Sequence, residues 1–367
     1  MKKWSSIKEK AIVQLSISGI VAFIGGWIFT LIHAPIPWLL GSMTAMLLAS
    51  RTKGMTFIWP KVLRDIGLVI VGYSIGLSFT QDALADIVHH LPYMLLLTCF
   101  IILMCACIAF LVTKLSGIDY PTALTSSIPG GLSQIVVFVE EVKGIDITIV
   151  TFFHVIRVMM VVFLFPFLVF HLPFTEKEIT FLNEHSSSDV DKWRGLFPSI
   201  ILFTVICVYA GKLAQKWKVP APFFLGPVIA VTILTLCGLE GPEIPSSLLD
   251  LSKFLIGGYI GLLLKTDKLA NKKKMIPLAF LSSFLIICTT LGCSVFLANQ
   301  YNLSYVTSFL SLAPGGMDQM GIIAYEVDAD LSTVASYQLF RMLLIYMAIP
   351  PILQLVLKWR VKKSASK

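Results

Sequence analysis

Charge is what this sequence has least of. Asp, Glu, Lys and Arg make up 14% of its 367 residues and hydrophobic residues 56%, whereas soluble globular domains are charged at roughly a quarter of their positions. Together with a mean hydropathy of +0.84, this excludes a soluble globular domain and leaves a polytopic membrane protein. Nothing matches Gly-x-x-x-x-Gly-Lys-Ser/Thr, so ATP is not the direct energy source. The seven cysteines, Cys99, Cys105, Cys107, Cys207, Cys237, Cys288 and Cys293, all fall in apolar segments and form no Cys-x-x-Cys. They read as small membrane-core residues, neither a disulfide framework nor a metal site. His33, His89, His90, His171 and His185 are scattered without metal-ligand spacing. No cofactor or metal is expected, and with no paired nucleophile and base the chain does not read as an enzyme. The net charge of +8 comes from short basic clusters between apolar runs. That pattern orients membrane segments, and it does not build a nucleic-acid groove.

What is present is long apolar runs and a repeat. Ten apolar segments lie near residues 11–32, 36–50, 62–80, 91–113, 147–171, 197–215, 222–238, 247–264, 276–298 and 333–357. The first is long enough to span and lacks a convincing cleavage site, so it reads as a transmembrane helix rather than a signal peptide. Pro35, Pro37 and Gly41 recur as Pro220, Pro222 and Gly226, each 185 positions on. Asp65, Gly72 and Gly76 recur at the same offset as Asp250, Gly257 and Gly261. Tyr120, Pro129, Gly130, Gly131, Gln134 and Glu141 recur as Tyr305, Pro314, Gly315, Gly316, Gln319 and Glu326. Arg157 and Arg341 follow at an offset of 184. One offset held across separate motifs is the mark of a duplicated unit. It divides the chain into a first membrane repeat (1–172), a polar linker (173–196) and a second membrane repeat (197–367).

Loop charges set the orientation. Lys2, Lys3, Lys8 and Lys10, then Arg51, Lys53, Lys61 and Arg64, place the start and the second loop of the first repeat inside. The loop at 81–90, with Asp82 and Asp86, lies outside. In the second repeat the signs swap: Glu240 and Glu243 mark the outer loop, and the lysines of 265–274 the inner one. The repeats are therefore inverted, which requires an odd number of crossings in each. Five transmembrane helices per repeat satisfy this only if residues 121–142 and 306–327 enter and leave by one face, as re-entrant Pro-Gly-Gly hairpins. Each arm is too short to cross a core of about 30 Å. The expected fold class is an all-α polytopic membrane protein of two inverted repeats, each with five transmembrane helices and one re-entrant Pro-Gly-Gly hairpin. Both termini are then cytoplasmic. Twelve full spans with parallel repeats is the rival count, and it would put the lysine-rich loop outside.

Irregular backbone survives at membrane depth only where protein buries it or water reaches it. Two breaks entering from opposite faces would meet near the midplane, where inverted-repeat transporters hold substrate. The candidate substrate-binding residues are Ser127, Pro129, Gly130, Gly131, Ser133 and Gln134 in the first break, and Pro314, Gly315, Gly316 and Gln319 in the second. Pro ends each first arm, and Gly-Gly turns the chain and admits a ligand to the backbone. The bland alternative is a packed helix kink. Asp318, whose counterpart is Ser133, is the candidate ion-coupling residue, because a carboxylate at this depth usually marks an ion or proton path; it could equally cap a helix. Arg157 and Arg341 complete the candidate set. Either they bind a substrate carboxylate or phosphate, or they tie down the carbonyl ends of the hairpin arms.

The paired prolines before short spans, the GYSIG stretch, "SSIPGGLSQ" and "LAPGGMDQMG" together resemble the AbrB family of multi-pass membrane proteins, once labelled ammonia monooxygenases. The resemblance covers nearly the whole chain. It implies an inner-membrane location and a link to regulation of gene expression, and it supplies no ligand. It does not extend to the small DNA-binding regulator that shares the name. The expected function is an ion-coupled secondary transporter of a small polar or anionic solute, driven by H+ or Na+. The alternative is a membrane sensor acting on gene expression through a partner. The expected partners are the solute, the ion and the lipid bilayer, with no nucleic acid; a homo-oligomer is compatible with either reading.

Overall fold

The computed structural model describes residues 2–34, 36–52, 56–130, 145–171, 199–217, 219, 221–239, 241–263, 272–345 and 347. Pro35, Pro220, the linker at 173–196, and Gly131, Ser133 and Gln134 lie outside them. The described chain is helical. In the first half are α1 (Lys2–Leu31), α2 (Pro37–Ala49), α3 (Lys61–Leu77), α4 (Gln81–Ser116), α5 (Tyr120–Ser127) and α6 (Ile147–His171). In the second are α7 (Ser199–Lys216), α8 (Pro222–Leu236), α9 (Ser246–Leu263), α10 (Lys272–Tyr301), α11 (Tyr305–Leu312) and α12 (Met317–Glu326). The last described helix is α13 (Leu331–Ile345).

Six of these, α1, α4, α6, α7, α9 and α10, are long and apolar enough to cross a membrane, and α2, α8 and α13 are shorter apolar helices. Ile12, Ile20, Trp27 and Leu31 on α1 and Ile201, Leu202, Val205 and Tyr209 on α7 leave large apolar side chains exposed. A soluble surface would not carry such faces; hydrocarbon solvates them. The protein is a polytopic membrane protein.

The segment 81–90, expected as a loop, is instead the opening of α4. Gln81, Ala83, Leu84 and Ala85 favour helix, and Asp82 and Asp86 sit near the N-terminus, where the helix dipole favours acidic residues. Its charge marked the segment as lying outside the apolar run, but charge alone did not end the helix.

The chain forms two compact units, and each draws on both sequence halves. One comprises Met1–Thr80 and Lys177–Lys265, the other Gln81–Glu176 and Thr266–Lys367.

In the first unit the packing follows the 185-residue offset. Helix α2 packs on α1 and α9, and α8 packs on α7 and α3. The contacts are reciprocal and keep the 185-residue offset. A Cβ at Gly72 would lie 2.6 Å from the Phe224 carbonyl oxygen, and one at Gly257 2.5 Å from that of Leu39. A Cβ at Gly76 would lie 2.7 Å from Val231 Cβ, and one at Gly261 2.9 Å from Met46 Cβ. The short helices α2 and α8 both start on a residue in the left-handed region, Ile36 (φ 49°) and Ala221 (φ 45°). This is an unfavourable conformation for a β-branched side chain, and each is followed by a proline at the first helical position, where a missing N–H costs nothing. Asp65 and Asp250, repeat mates, each hold a cation: Arg64 at 2.7 Å and the buried Lys253 at 2.9 Å.

Gly257→Leu should therefore be poorly tolerated, because beside the Ser42 hydroxyl the obstructing atoms include a backbone carbonyl that cannot swing away. The expected loss is at the upper end of the 1–3 kcal/mol typical of overpacking, or beyond it. Gly292→Leu is the control, since a Cβ there meets nothing within 4 Å. Thermal unfolding of the two purified variants should separate them clearly.

In the second unit α4 packs on α5 and α10, α6 on α5 and α10, and α11 on α10 and α12. Tyr301 Oη on α10 donates to the His89 carbonyl on α4 at 3.1 Å, and the His90 and Tyr301 rings lie 4.0 Å apart.

Candidate functional site

Two short helices, α5 and α11, end in the Pro-Gly-Gly stretches, and both belong to the second unit. Each is started by a side-chain cap: Asp119 accepts from the Thr122 amide at 3.2 Å, and Ser304 from the Thr307 amide at 3.0 Å. Each ends at the residue before proline, Ile128 (ψ 129°) or Ala313 (ψ 136°), where the proline ring excludes helical backbone. The same threonines anchor the helix that follows the break. Thr122 Oγ1 accepts from the Asp146 amide and Thr307 Oγ1 from the Asp330 amide, both at 3.2 Å. Asp146 Oδ1 accepts from the amides of Thr148 and Ile149 at the start of α6. Asp330 does the same for Ser332 and Thr333 at the start of α13. Burial pushes the Asp330 carboxyl up, but the hydroxyl and amide donors of Ser332 and Thr333 outweigh it and hold the group below its ordinary range.

A helix whose end is buried away from water leaves its last carbonyls without partners unless donors are supplied, and Ser126, Ser127, Ser311 and Leu312 are buried. Here the arginines supply the donors. Arg157, on α6 and 2% exposed, donates from Nη1 to the carbonyls of Ser126 (3.3 Å) and Ser127 (3.2 Å) at the end of α5. From Nε it donates to the Pro314 carbonyl at 3.0 Å, in the other repeat. Arg341, on α13 and 4% exposed, donates from Nη1 to the Leu312 carbonyl (2.8 Å) and from Nη2 to that of Gly315 (3.3 Å) and to Gln338 Oε1. Gln338 Nε2 closes the set on the carbonyls of Leu310 (2.7 Å) and Ala313 (3.2 Å). Ser127 and Leu312 are repeat mates, so the two arginines make equivalent bonds. Pro314 and Gly315 are consecutive, so a guanidinium from each repeat converges on the second break.

The candidate residues divide accordingly. Arg157, Ser127, Pro314, Gly315 and Arg341 come together through these bonds. Pro129 is buried and Gly130 partly buried beyond the end of α5. Gly316 is the N-cap residue of α12 and makes no side-chain cap bond; Gln319 is buried in that helix's first turn. Asp318 occupies the second position of α12, and its side chain lies outside the described residues. The hydroxyls of Ser126, Ser127 and Ser311 donate to carbonyls four residues back, Thr122, Ala123 and Thr307, at 2.7, 2.9 and 2.8 Å, so their protons are held by their own helices. His154 directs Nδ1 to the Val150 carbonyl at 3.0 Å.

The sequence reading missed Leu312 and Gly315 as acceptors and Cys105 as a neighbour. Cys105, fully buried on α4, lies within electrostatic reach of both guanidiniums. Nothing in an apolar run marks one cysteine out from six others. Among the described residues no three His, Cys, Asp or Glu side chains form a metal-binding group.

Comparison with known proteins matches residues 38–357 to the family described as "Transition state regulatory protein AbrB". The chain is similar to an uncharacterized protein, YhjN, of Bacillus subtilis (strain 168), with 28% identity over 90% of each chain. It is also similar to a candidate regulator named AbrB of Escherichia coli (strain K12), with 26% identity over 92% of this chain and 94% of that one. With most of its length matched to the family and its helices those of a membrane protein, the chain belongs to the AbrB family.

Proposed function

We propose that the protein is an ion-coupled secondary transporter of a small polar or anionic solute, with its site at the two Pro-Gly-Gly breaks. The observation that carries this reading is Arg157, whose single guanidinium reaches the end of α5 and the Pro314 carbonyl of the other repeat. It makes the two breaks neighbours. Paired interruptions from two repeats, meeting at membrane depth, are what inverted-repeat transporters use to hold substrate.

On this reading the repeats are inverted, each carries five spans and one re-entrant hairpin, and both termini face the cytoplasm of an inner-membrane protein. Asp318 at the start of α12 exchanges H+ or Na+. The regulatory wording attached to the family and to the E. coli relative favours a second reading, a sensor that binds the same solute and signals through a partner. Uptake of a panel of small carboxylates, amides and amines into proteoliposomes, under imposed H+ or Na+ gradients, separates the two. Gradient-driven accumulation is expected. Binding without flux would overturn transport in favour of the sensor.

A further inference from the structure

The arginine pair bears on what the site binds. Arg157 and Arg341 donate to consecutive carbonyls, Pro314 and Gly315, so two like charges stand side by side, both almost wholly buried. Carbonyl dipoles accept from part of each guanidinium but do not cancel its charge. Among the described residues neither guanidinium is within ion-pair distance of a carboxylate; the ion pairs of the described chain are Arg64–Asp65 and Lys253–Asp250.

Three of the described acids of the same unit that adjoin the breaks are engaged elsewhere. Asp119, Asp146 and Asp330 each hold a helix N-terminus. Asp146 and Asp330 stand eleven residues before Arg157 and Arg341, about 16 Å along a helix. Asp318 is the acid nearest the second break in sequence, and one carboxylate still leaves two guanidiniums net positive. Buried charge is costly unless paired, and among the described residues this pair has no anion of matching charge.

From this geometry we propose that the solute is a small oxyanion, a carboxylate first of all, bound where the guanidiniums of Arg157 and Arg341 converge. The assignment rests on the reading of the breaks as a solute site and narrows it from "polar or anionic" to anionic. Arginine suits the role because its planar donor fork can hold backbone carbonyls on one edge while its charge attracts an oxyanion on another.

The test uses the full-length protein in nanodiscs and four probes of one size: succinate, succinamate, succinamide and 1,4-diaminobutane. Inorganic phosphate is the non-carboxylate oxyanion. Binding is read by calorimetry and thermal shift. Affinity should fall about tenfold or more for each carboxylate converted to amide, in line with the strength of hydrogen bonds to charged groups, and the diamine should not bind. Phosphate binding in place of succinate would keep the oxyanion site and reassign its source. Arg341→Gln should flatten the succinate-to-succinamide ratio toward one.

Because that variant could unfold, a second readout uses the native arginines. In the wild-type protein, hydrogen exchange of the amides in α5 and α11 should slow several-fold in saturating succinate or phosphate. Succinamide or the diamine binding as tightly as succinate would overturn the proposal, as would silence of every oxyanion in both readouts. Gradient-driven flux of a neutral solute alongside such silence would sink the oxyanion assignment and leave transport standing. Oxyanion binding without flux would do the reverse.

Discussion

Replacing Arg157 by alanine is expected to cost roughly 3 kcal/mol or more of stability and to abolish solute binding. The variant leaves the carbonyls of Ser126, Ser127 and Pro314 without their donor, and each buried unsatisfied group costs about 1–3 kcal/mol. Water could enter a solute site and recover part of that loss, and removing the buried charge returns some desolvation energy, so the simple sum is an upper bound. Arg157→Lys keeps the charge but cannot reproduce a planar fork that serves two breaks at once. It should recover expression and part of the thermal stability, but only a small fraction of the flux. Melting temperature and flux measured on the same three proteins decide the matter. If Arg157→Ala melts with the wild type and transports normally, the guanidinium neither holds the breaks nor serves the solute.

The second large effect concerns Asp318. Asp318→Asn is nearly isosteric and removes the one ionisable group that distinguishes the second break from the first, where Ser133 stands. If Asp318 carries the coupling ion, gradient-driven accumulation should fall by at least about tenfold, while solute exchange across the membrane, which needs no net ion movement, persists. A carboxylate at membrane depth costs about 2.5–3.5 kcal/mol on insertion scales, so its removal should leave the protein no less stable. The outcome that contradicts coupling is unchanged accumulation with a lower melting temperature, which would make Asp318 a helix cap.

How much of this was legible in the sequence depends on the range of the interaction concerned. The helices and their breaks were readable because their causes are local. Ile128 and Ala313 stop α5 and α11 because a proline follows, and α6 begins and ends where the apolar run at 147–171 does. The 185-residue offset was readable because it recurs in three motifs. Its spatial consequence was not. That Gly72 meets Phe224 while Gly257 meets Leu39 follows from reciprocal packing between halves, and no local pattern encodes which helix fills which groove.

The arginines stood out as buried charges in need of distant partners, and tying down the carbonyl ends of the arms was one of two roles read for them. Their particular acceptors, Pro314 and Gly315 among them, depend on tertiary placement. The segment 81–90 differs for another reason: its acidic residues mark a membrane side and also favour the start of a helix.

Everything proposed for the site requires that the breaks enter from opposite faces, which holds only if the repeats are inverted. The linker between them then lies outside, while parallel repeats of six spans would place it in the cytoplasm. The direct measurement is labelling of a single cysteine at Ser187, in the linker, by a membrane-impermeant thiol reagent in intact cells and in permeabilised ones. The account predicts full labelling in intact cells. Labelling that appears only after permeabilisation would contradict it.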